Sequence, residues 1–108
     1  MPTSALNIAP GLVPAAETNI IGPVPAGHEF DIPVIRFVNN DEVARQITIW
    51  NKTSAGAGTD ADVEAKLMIQ PQSLYEHGPM VLAAGRVISV AAEVAGVISD
   101  RPHGWDIS

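Results

Sequence analysis

Short β-branched segments separated by turn residues are the feature that most limits how this chain can fold. Nine glycines and nine prolines punctuate the 108 residues, and the segments between them are rich in Val and Ile. The best helix candidate, residues 83–97, is alanine-rich but also contains several β-branched residues, which favour strands. About six to eight strands at this spacing predict an all-β fold: a small antiparallel β-sandwich or jelly-roll-like barrel.

Two segments show this pattern in detail. Residues 63–69 alternate apolar and polar side chains, which is typical of a half-buried strand. In residues 30–38 the apolar phase changes beside Pro33, which predicts a bulge or an edge position. The polar, glycine-rich residues 51–62 predict an exposed loop.

The length allows one domain with one core. Residues 1–16 contain too many prolines for a helix, so we expect an extended N-terminal arm. Residues 17–101 are predicted to form the β-sandwich domain, and residues 102–108 a C-terminal tail. The arm is apolar, and such an arm can reach across to a neighbouring subunit. Its interface candidates are Leu6, Ile8, Leu12 and Val13.

The C-terminal tail carries two further interface candidates, Trp105 and Ile107. Tryptophan is enriched in the energetically dominant positions of protein interfaces. The alternative is that Trp105 folds back and closes one end of the core. Trp50, at the end of a predicted strand, has the same two interpretations.

Charge and composition exclude several functional classes. The formal charge is −6 and the six basic residues are scattered singly, which argues against nucleic acid as a partner. The absence of cysteine excludes thiol catalysis and disulfides and leaves the compartment undecided. The first 15 residues do not resemble a signal peptide, and no apolar run approaches the ~20 residues that span a bilayer, so no membrane partner is expected.

The chain offers no pattern for catalysis or for a cofactor. His28, His77 and His103 each lie near an acid, but no two have the spacing of metal ligands. No serine lies in a nucleophile-elbow motif, so we expect a protein that is not an enzyme.

An acidic stretch at residues 60–64 begins like a calcium-binding loop. The pattern then fails, because Ala65 stands where the turn needs glycine and Pro71 stands where a bidentate Glu is needed. We interpret the stretch as a solvated acidic loop, and a weak divalent ion at a subunit junction is the alternative.

Four segments resemble a group of small phage virion proteins. They are the turn V-P-A-G at residues 24–27, an I-x-x-I-x-x-x-N strand at 32–39, a strand at 46–51, and L-A-A-G-R-V-I-S-V at 82–90. The resemblance covers residues 19–98. Arg86 stands where that group has Asp, whose carboxylate can accept turn amide hydrogens. Either the turn is closed differently here, or Arg86 points toward a partner, which makes it an interface candidate.

The resemblance implies a compact sandwich that works as a structural part of a virion, as a homo-oligomer with a trimer favoured. The expected role is a capsid decoration or cement subunit on the phage head, made in the host cytoplasm. Its partners would be the major capsid protein or other virion proteins. A neck, tail or fibre-associated subunit is the first alternative. A carbohydrate- or ligand-binding β-sandwich is the second, and it predicts exposed aromatic residues on one face.

Overall fold

The computed structural model describes residues 3–53 and 56–108, which form ten β-strands and one short 3-10 helix. The strands are β1 (Thr3–Ala5), β2 (Gly11–Leu12), β3 (Thr18–Ile21), β4 (Glu29–Asn39), β5 (Arg45–Lys52), β6 (Val63–Ile69), β7 (Leu74–His77), β8 (Met80–Leu82), β9 (Val87–Ala92) and β10 (Ile98–Ile107). The 3-10 helix is Asp60–Asp62. The predicted all-β class is therefore confirmed.

The strands form two antiparallel sheets that pack as a β-sandwich. In sheet A, β10 and β4 are central; β1 and β2 share the outer edge of β10, and β7 and β8 share the outer edge of β4. Sheet B has the order β3-β9-β5-β6. If each split edge counts as one strand, the sheet orders become 1-8-3-6 and 2-7-4-5, which is the connectivity of a jelly roll.

Inward side chains of both sheets form one apolar core. Along β4 the buried positions alternate with exposed ones, and Ile35 and Phe37 are fully buried. Their counterparts in sheet B are Ile47, Ile49 and Val90, which are also fully buried. Each such side chain contributes about 1.5–3 kcal/mol through its removal from water, so this layer is the main source of stability.

The predicted irregularity beside Pro33 is a β-bulge in the middle of sheet A. The register between β4 and β10 shifts between His103 and Trp105, so β4 contains one extra residue there. Glycines lie on both sides of the bulge because a side chain would not fit. A Cβ on Gly78 would lie 2.6 Å from the carbonyl oxygen of Pro33, and one on Gly104 would lie 2.6 Å from Ile32 Cδ1.

The N-terminal segment was expected to be an extended arm that reaches to a neighbouring subunit, but its described part packs on its own chain. Strands β1 and β2 both pair with β10. The backbone N–H of Val13 donates to the Ile98 carbonyl at 2.8 Å, and the Val13 side chain is completely buried. Val13 was expected at an interface with another subunit and instead belongs to the core. Met1 and Pro2 lie outside the described residues.

The C-terminal residues also belong to the sandwich. Strand β10 continues to Ile107 and pairs with β4 on one side and β1 on the other. Residues 102–107 are therefore the second half of a central strand and do not form a separate tail after residue 101.

Candidate interaction surface

Part of the outer face of sheet B, around β9 and the end of β5, is covered by the chain itself, whereas Lys66 and Met68 on β6 are exposed. Ser89 and Val87 point away from the core, since the residue between them, Ile88, points inward, yet both are fully buried. Lys52 is the cross-strand neighbour of Val87 and is 4% exposed. The cover includes residues 56–59, and Gly58 lies so close to Trp50 that a Cβ would sit 2.5 Å from Trp50 Cδ1.

A buried ion pair holds this cover in place. The Lys52 ammonium donates to Glu17 Oε2 at 2.5 Å and also to the carbonyl of Gly56. Glu17 accepts two further hydrogen bonds, from the Ser89 hydroxyl at 2.6 Å and from the Gly58 N–H at 2.9 Å. Burial raises the pKa of Glu17, but these hydrogen bonds together with the charge of Lys52 lower it below its usual value.

A cleft of about 480 Å³ opens beside this ion pair. Its lining includes Glu17 and Lys52, whose charges already neutralise each other. The cleft therefore presents no unsatisfied charge from this pair to a ligand. It is lined by Glu17, Thr18, Asn19, Lys52, Gly56 and Ala57.

A chain of polar side chains connects the two sheets at one side of the sandwich. Arg86 donates to Asn51 Oδ1 at 2.7 Å, and the Asn51 amide donates to Glu64 Oε2 at 2.8 Å. The other Glu64 oxygen lies 2.5 Å from His77 Nε2, and His77 Nδ1 lies 2.9 Å from the Tyr75 hydroxyl. Glu64 can reach sheet A because it is the extra residue of a bulge in β6, where the β5–β6 register shifts.

This polar network cross-links the two sheets through side chains of β5, β6 and β7. Both ring nitrogens of His77 bind side chains of the same chain, Glu64 from sheet B and Tyr75 from its own strand. Ser89 binds Glu17 on the opposite side of sheet B and is not part of the network. Within residues 3–53 and 56–108, no three acidic or histidine side chains form a group that could hold a metal ion.

The acidic stretch at 60–64 is also bound internally. Asp62 accepts from the backbone N–H and the hydroxyl of Thr59, and these bonds lower its pKa. Glu64 belongs to the polar network. These two carboxylates are thus used to fix local structure.

The outer face of sheet A, in contrast, is bare, and we call it the open face. Seven large apolar side chains are exposed in the described part of the chain, and four of them lie here. Cross-strand pairing arranges the face in rows. One row contains Ala5, Trp105, Asp31 and Val81, and the row at the other end contains Leu12, Ser99, Val38 and Leu74.

Between these apolar rows lie two arginines on neighbouring strands. Arg101 of β10 is directly opposite Arg36 of β4, which in turn is opposite Glu76 of β7. Arg36 binds Glu76 at 3.0 Å, and both side chains are nearly half exposed. The Arg101 guanidinium has no hydrogen-bond or ion-pair partner among the described residues. A cleft of about 210 Å³ beside them is lined by Pro10, Arg36, Val38, Ser99, Asp100 and Arg101.

The predicted interface residues are divided between the open face and the core. Trp105 and Leu12 lie on the open face and are 48% and 61% exposed. Ile107 lies at its end, partly buried. Leu6 and Ile8 are partly buried against the core.

Arg86 resolves the two alternatives that the sequence left open at its turn. The turn is closed by the backbone, with the Arg86 N–H donating to the Ala83 carbonyl at 3.1 Å. The Arg86 side chain binds Asn51 within the chain. It is therefore engaged internally and is not directed at a partner.

The sequence interpretation missed most of the open face. The interface candidates did not include Leu74, Val81, Arg36 and Arg101. For the last three, the alternation of side chains along their strands could have predicted that they point away from the core. Their importance depends on cross-strand neighbours that are distant in sequence, and a single sequence does not reveal these.

The aromatic residues are dispersed. Trp105 is on the open face, Trp50 lies under the cover of sheet B, and Tyr75 belongs to the polar network. They do not form the shared aromatic platform that the carbohydrate-binding alternative predicts.

Comparison with known proteins gave no relative: no family model, no curated protein and no solved structure matches this chain. In addition, the part of the chain that the structure describes contains no helix with the length and apolar character needed to span a bilayer.

Proposed function

We propose that this protein is a structural subunit of a phage particle, in the simplest case a decoration or cement subunit of the head. The observation that carries the proposal is the open face: a partly apolar sheet surface with four exposed large apolar side chains, on a sandwich whose other outer face is partly covered by its own chain. Large exposed apolar patches on soluble proteins mark sites of protein interaction.

The mechanism is mechanical. A sandwich with its two sheets cross-linked by the polar network keeps its shape under load, and the open face supplies the joint to another subunit. Further weak contacts, repeated by the symmetry of a particle, add up to stable attachment. The sequence resemblance to small virion proteins at residues 24–27, 32–39, 46–51 and 82–90 supports the choice of particle.

The jelly-roll connectivity is compatible with this role, because viral capsid domains use it, as do lectins and cupins. Fold alone does not assign function, so the proposal depends on the surface and on the resemblance. A neck, tail or fibre position uses the same kind of contact and differs in copy number and symmetry.

Quantitative mass spectrometry of purified particles tests the proposal. Particles from a phage that carries this gene should contain the protein in a fixed ratio to the major capsid protein. Particles that lack the gene should release their DNA at a lower temperature. Absence of the protein from purified particles would contradict the proposal, and a few copies per particle would favour the neck, tail or fibre position.

A further inference from the structure

Four residues on the two central strands of the open face are placed symmetrically about its middle row. Along β10, Arg101, His103 and Trp105 are successive outward residues. Their neighbours on β4 are Arg36, Val34 and Asp31. An arginine row and an aspartate-tryptophan row therefore lie at similar distances on either side of the His103–Val34 row.

We propose that the open face is covered by a second copy of this chain, with a twofold axis that crosses the strands at the His103–Val34 row. This rotation keeps β4 over β4 and β10 over β10 and reverses the order of the rows. Arg36 then faces Asp31 of the second copy, and Arg101 faces Trp105 of the second copy. Each contact occurs twice because the axis is twofold.

The chemistry of these two contacts is favourable. An arginine and a carboxylate that meet across an interface form charge-assisted hydrogen bonds. A guanidinium over a tryptophan ring gains a cation–π interaction, which is stronger where water is excluded. Asp31 and Arg101 are suited to these roles because neither side chain has a hydrogen-bond or ion-pair partner among the described residues.

The other simple twofold arrangement is disfavoured by charge. An axis parallel to the strands would exchange β4 with β10 and keep each row facing itself. Arg36 would then face Arg101 of the second copy, twice in each dimer. Like charges that meet across an interface cost several kcal/mol. The arrangement with the axis across the strands is thus the one that the charge order selects.

The size of the face sets the expected strength. Four strand positions at about 4.8 Å spacing and a central strand of 11 residues give a footprint of about 700 Å² at most. Stable complexes bury about 800 Å² on each partner. We therefore expect a weak dimer that forms and dissociates with concentration, of about micromolar affinity or weaker.

This inference names the occupant of the joint used in the proposed function, but its test needs no particle, so the two can fail separately. If two copies cover the open face, contacts to a capsid use other surfaces. Threefold contacts of the kind suggested by the resemblance would also use other surfaces.

A charge swap tests the pairing. The wild-type chain, Arg36→Asp, Asp31→Arg and the double variant are compared by sedimentation velocity over a range of concentrations. Each single variant places like charges at both symmetric contacts, so its association should weaken by about tenfold or more. The double variant should recover the wild-type association. A mixture of the two single variants should recover it too, because the heterodimer restores both ion pairs.

Lys66→Asp is the matched control. Lys66 is exposed on β6 of sheet B, has no ion-pair partner among the described residues, and changes the net charge by the same amount as Arg36→Asp. It should associate like the wild type. Circular dichroism checks that every variant is folded.

Three results would overturn the inference: a wild-type chain that stays monomeric at all concentrations, single variants that associate like the wild type, or a mixture that fails to recover association. The first would leave the face to another partner, such as a capsid surface, and would not affect the proposed function.

Discussion

The two outer faces of the sandwich show how similar strands can have opposite surroundings. Both sheets are antiparallel and both direct a mixture of apolar and polar residues outward. On sheet B, residues 56–59 cover that side, and outward residues such as Val87 and Ser89 are fully buried. On sheet A, Arg101 and His103 of the central strand β10 are exposed. At its edges, Val81 and Leu12 are both 61% exposed.

The two faces differ in the burial and in the bonding partners of their cationic side chains. Under the cover, Lys52 is buried and has a carboxylate and a carbonyl as partners. On the open face, Arg36 keeps a solvent-exposed pair and Arg101 has none among the described residues. A buried charge without partners is costly, whereas an exposed one is not. The buried cation of sheet B therefore has its partners within the same chain. Arg101 on the open face is available to a partner outside the chain.

The largest expected effect comes from removing the buried cation. Lys52→Ala removes the cationic partner of the largely buried Glu17 carboxylate and also the Lys52 hydrogen bond to the Gly56 carbonyl. We expect a loss of about 3 kcal/mol in the free energy of unfolding. Arg36→Ala, the matched change on the open face, should cost about 0.5 kcal/mol or less. Urea denaturation of both variants at low concentration measures the contrast, and equal losses would contradict the distinction.

Adjacent residues of the N-terminal segment give the next contrast. Val13 is fully buried and Leu12 is exposed. Val13→Ala should destabilise the fold by about 2 kcal/mol through lost burial and a small cavity, and Leu12→Ala should change stability by less than about 0.5 kcal/mol. Thermal unfolding of both variants measures this. If Val13→Ala is neutral, the segment is not part of the core.

A pair of outward valines compares the two faces with the same chemical change. Val87→Thr places a hydroxyl under the cover of sheet B and should cost about 1–2 kcal/mol, because the hydroxyl loses its water. Val81→Thr places the same hydroxyl in solvent on the open face and should be neutral within about 0.5 kcal/mol. Chemical denaturation checks both. A cost at Val81 comparable to that at Val87 would show that the open face is not bare in the monomer.

The smallest effects are expected in the dependence of stability on pH. The lowered pKa of Glu17 means that its contribution is complete above its ordinary value of 4.5 and is lost as the pH falls through the folded-state pKa. Asp100, beneath sheet A, is the opposite case. Burial raises its pKa, and the hydrogen bond from the Gly11 N–H offsets part of this rise. The ionised form of Asp100 therefore destabilises the fold at neutral pH, and this cost disappears as the pH falls through the raised pKa.

The free energies of unfolding of the wild type, Glu17→Gln and Asp100→Asn, measured from about pH 7 to about pH 3, distinguish these two opposite pH dependences. Relative to each variant, the wild type should lose stability on acidification through Glu17 and gain it through Asp100. Parallel curves for the wild type and either variant would contradict the corresponding assignment.

The fold could be predicted largely from the sequence because its signals are local. Turn residues separate the strands, alternation marks half-buried strands such as 63–69, and the phase change beside Pro33 identifies the bulge. These features depend on neighbouring residues, and the structure has each of them close to the predicted place.

The surroundings of the surfaces could not be predicted in the same way. An apolar segment with prolines can cross to a neighbour or lie along its own sheet, and the partners of the N-terminal strands lie at residues 99–107. The hydrogen bond between Glu64 and His77 depends on the bulge in β6, which brings Glu64 within reach of sheet A. Nothing in the sequence of residues 56–59 alone indicates which outward residues of sheet B they cover.

The most direct test of the central claim is the solution mass of the wild type and of Trp105→Ser, measured by light scattering over the same range of concentrations. The account predicts that the wild-type mass rises from one chain toward two, while the variant stays at one chain and remains folded by circular dichroism. Two curves that rise together would contradict it, because the open face would then play no part in association.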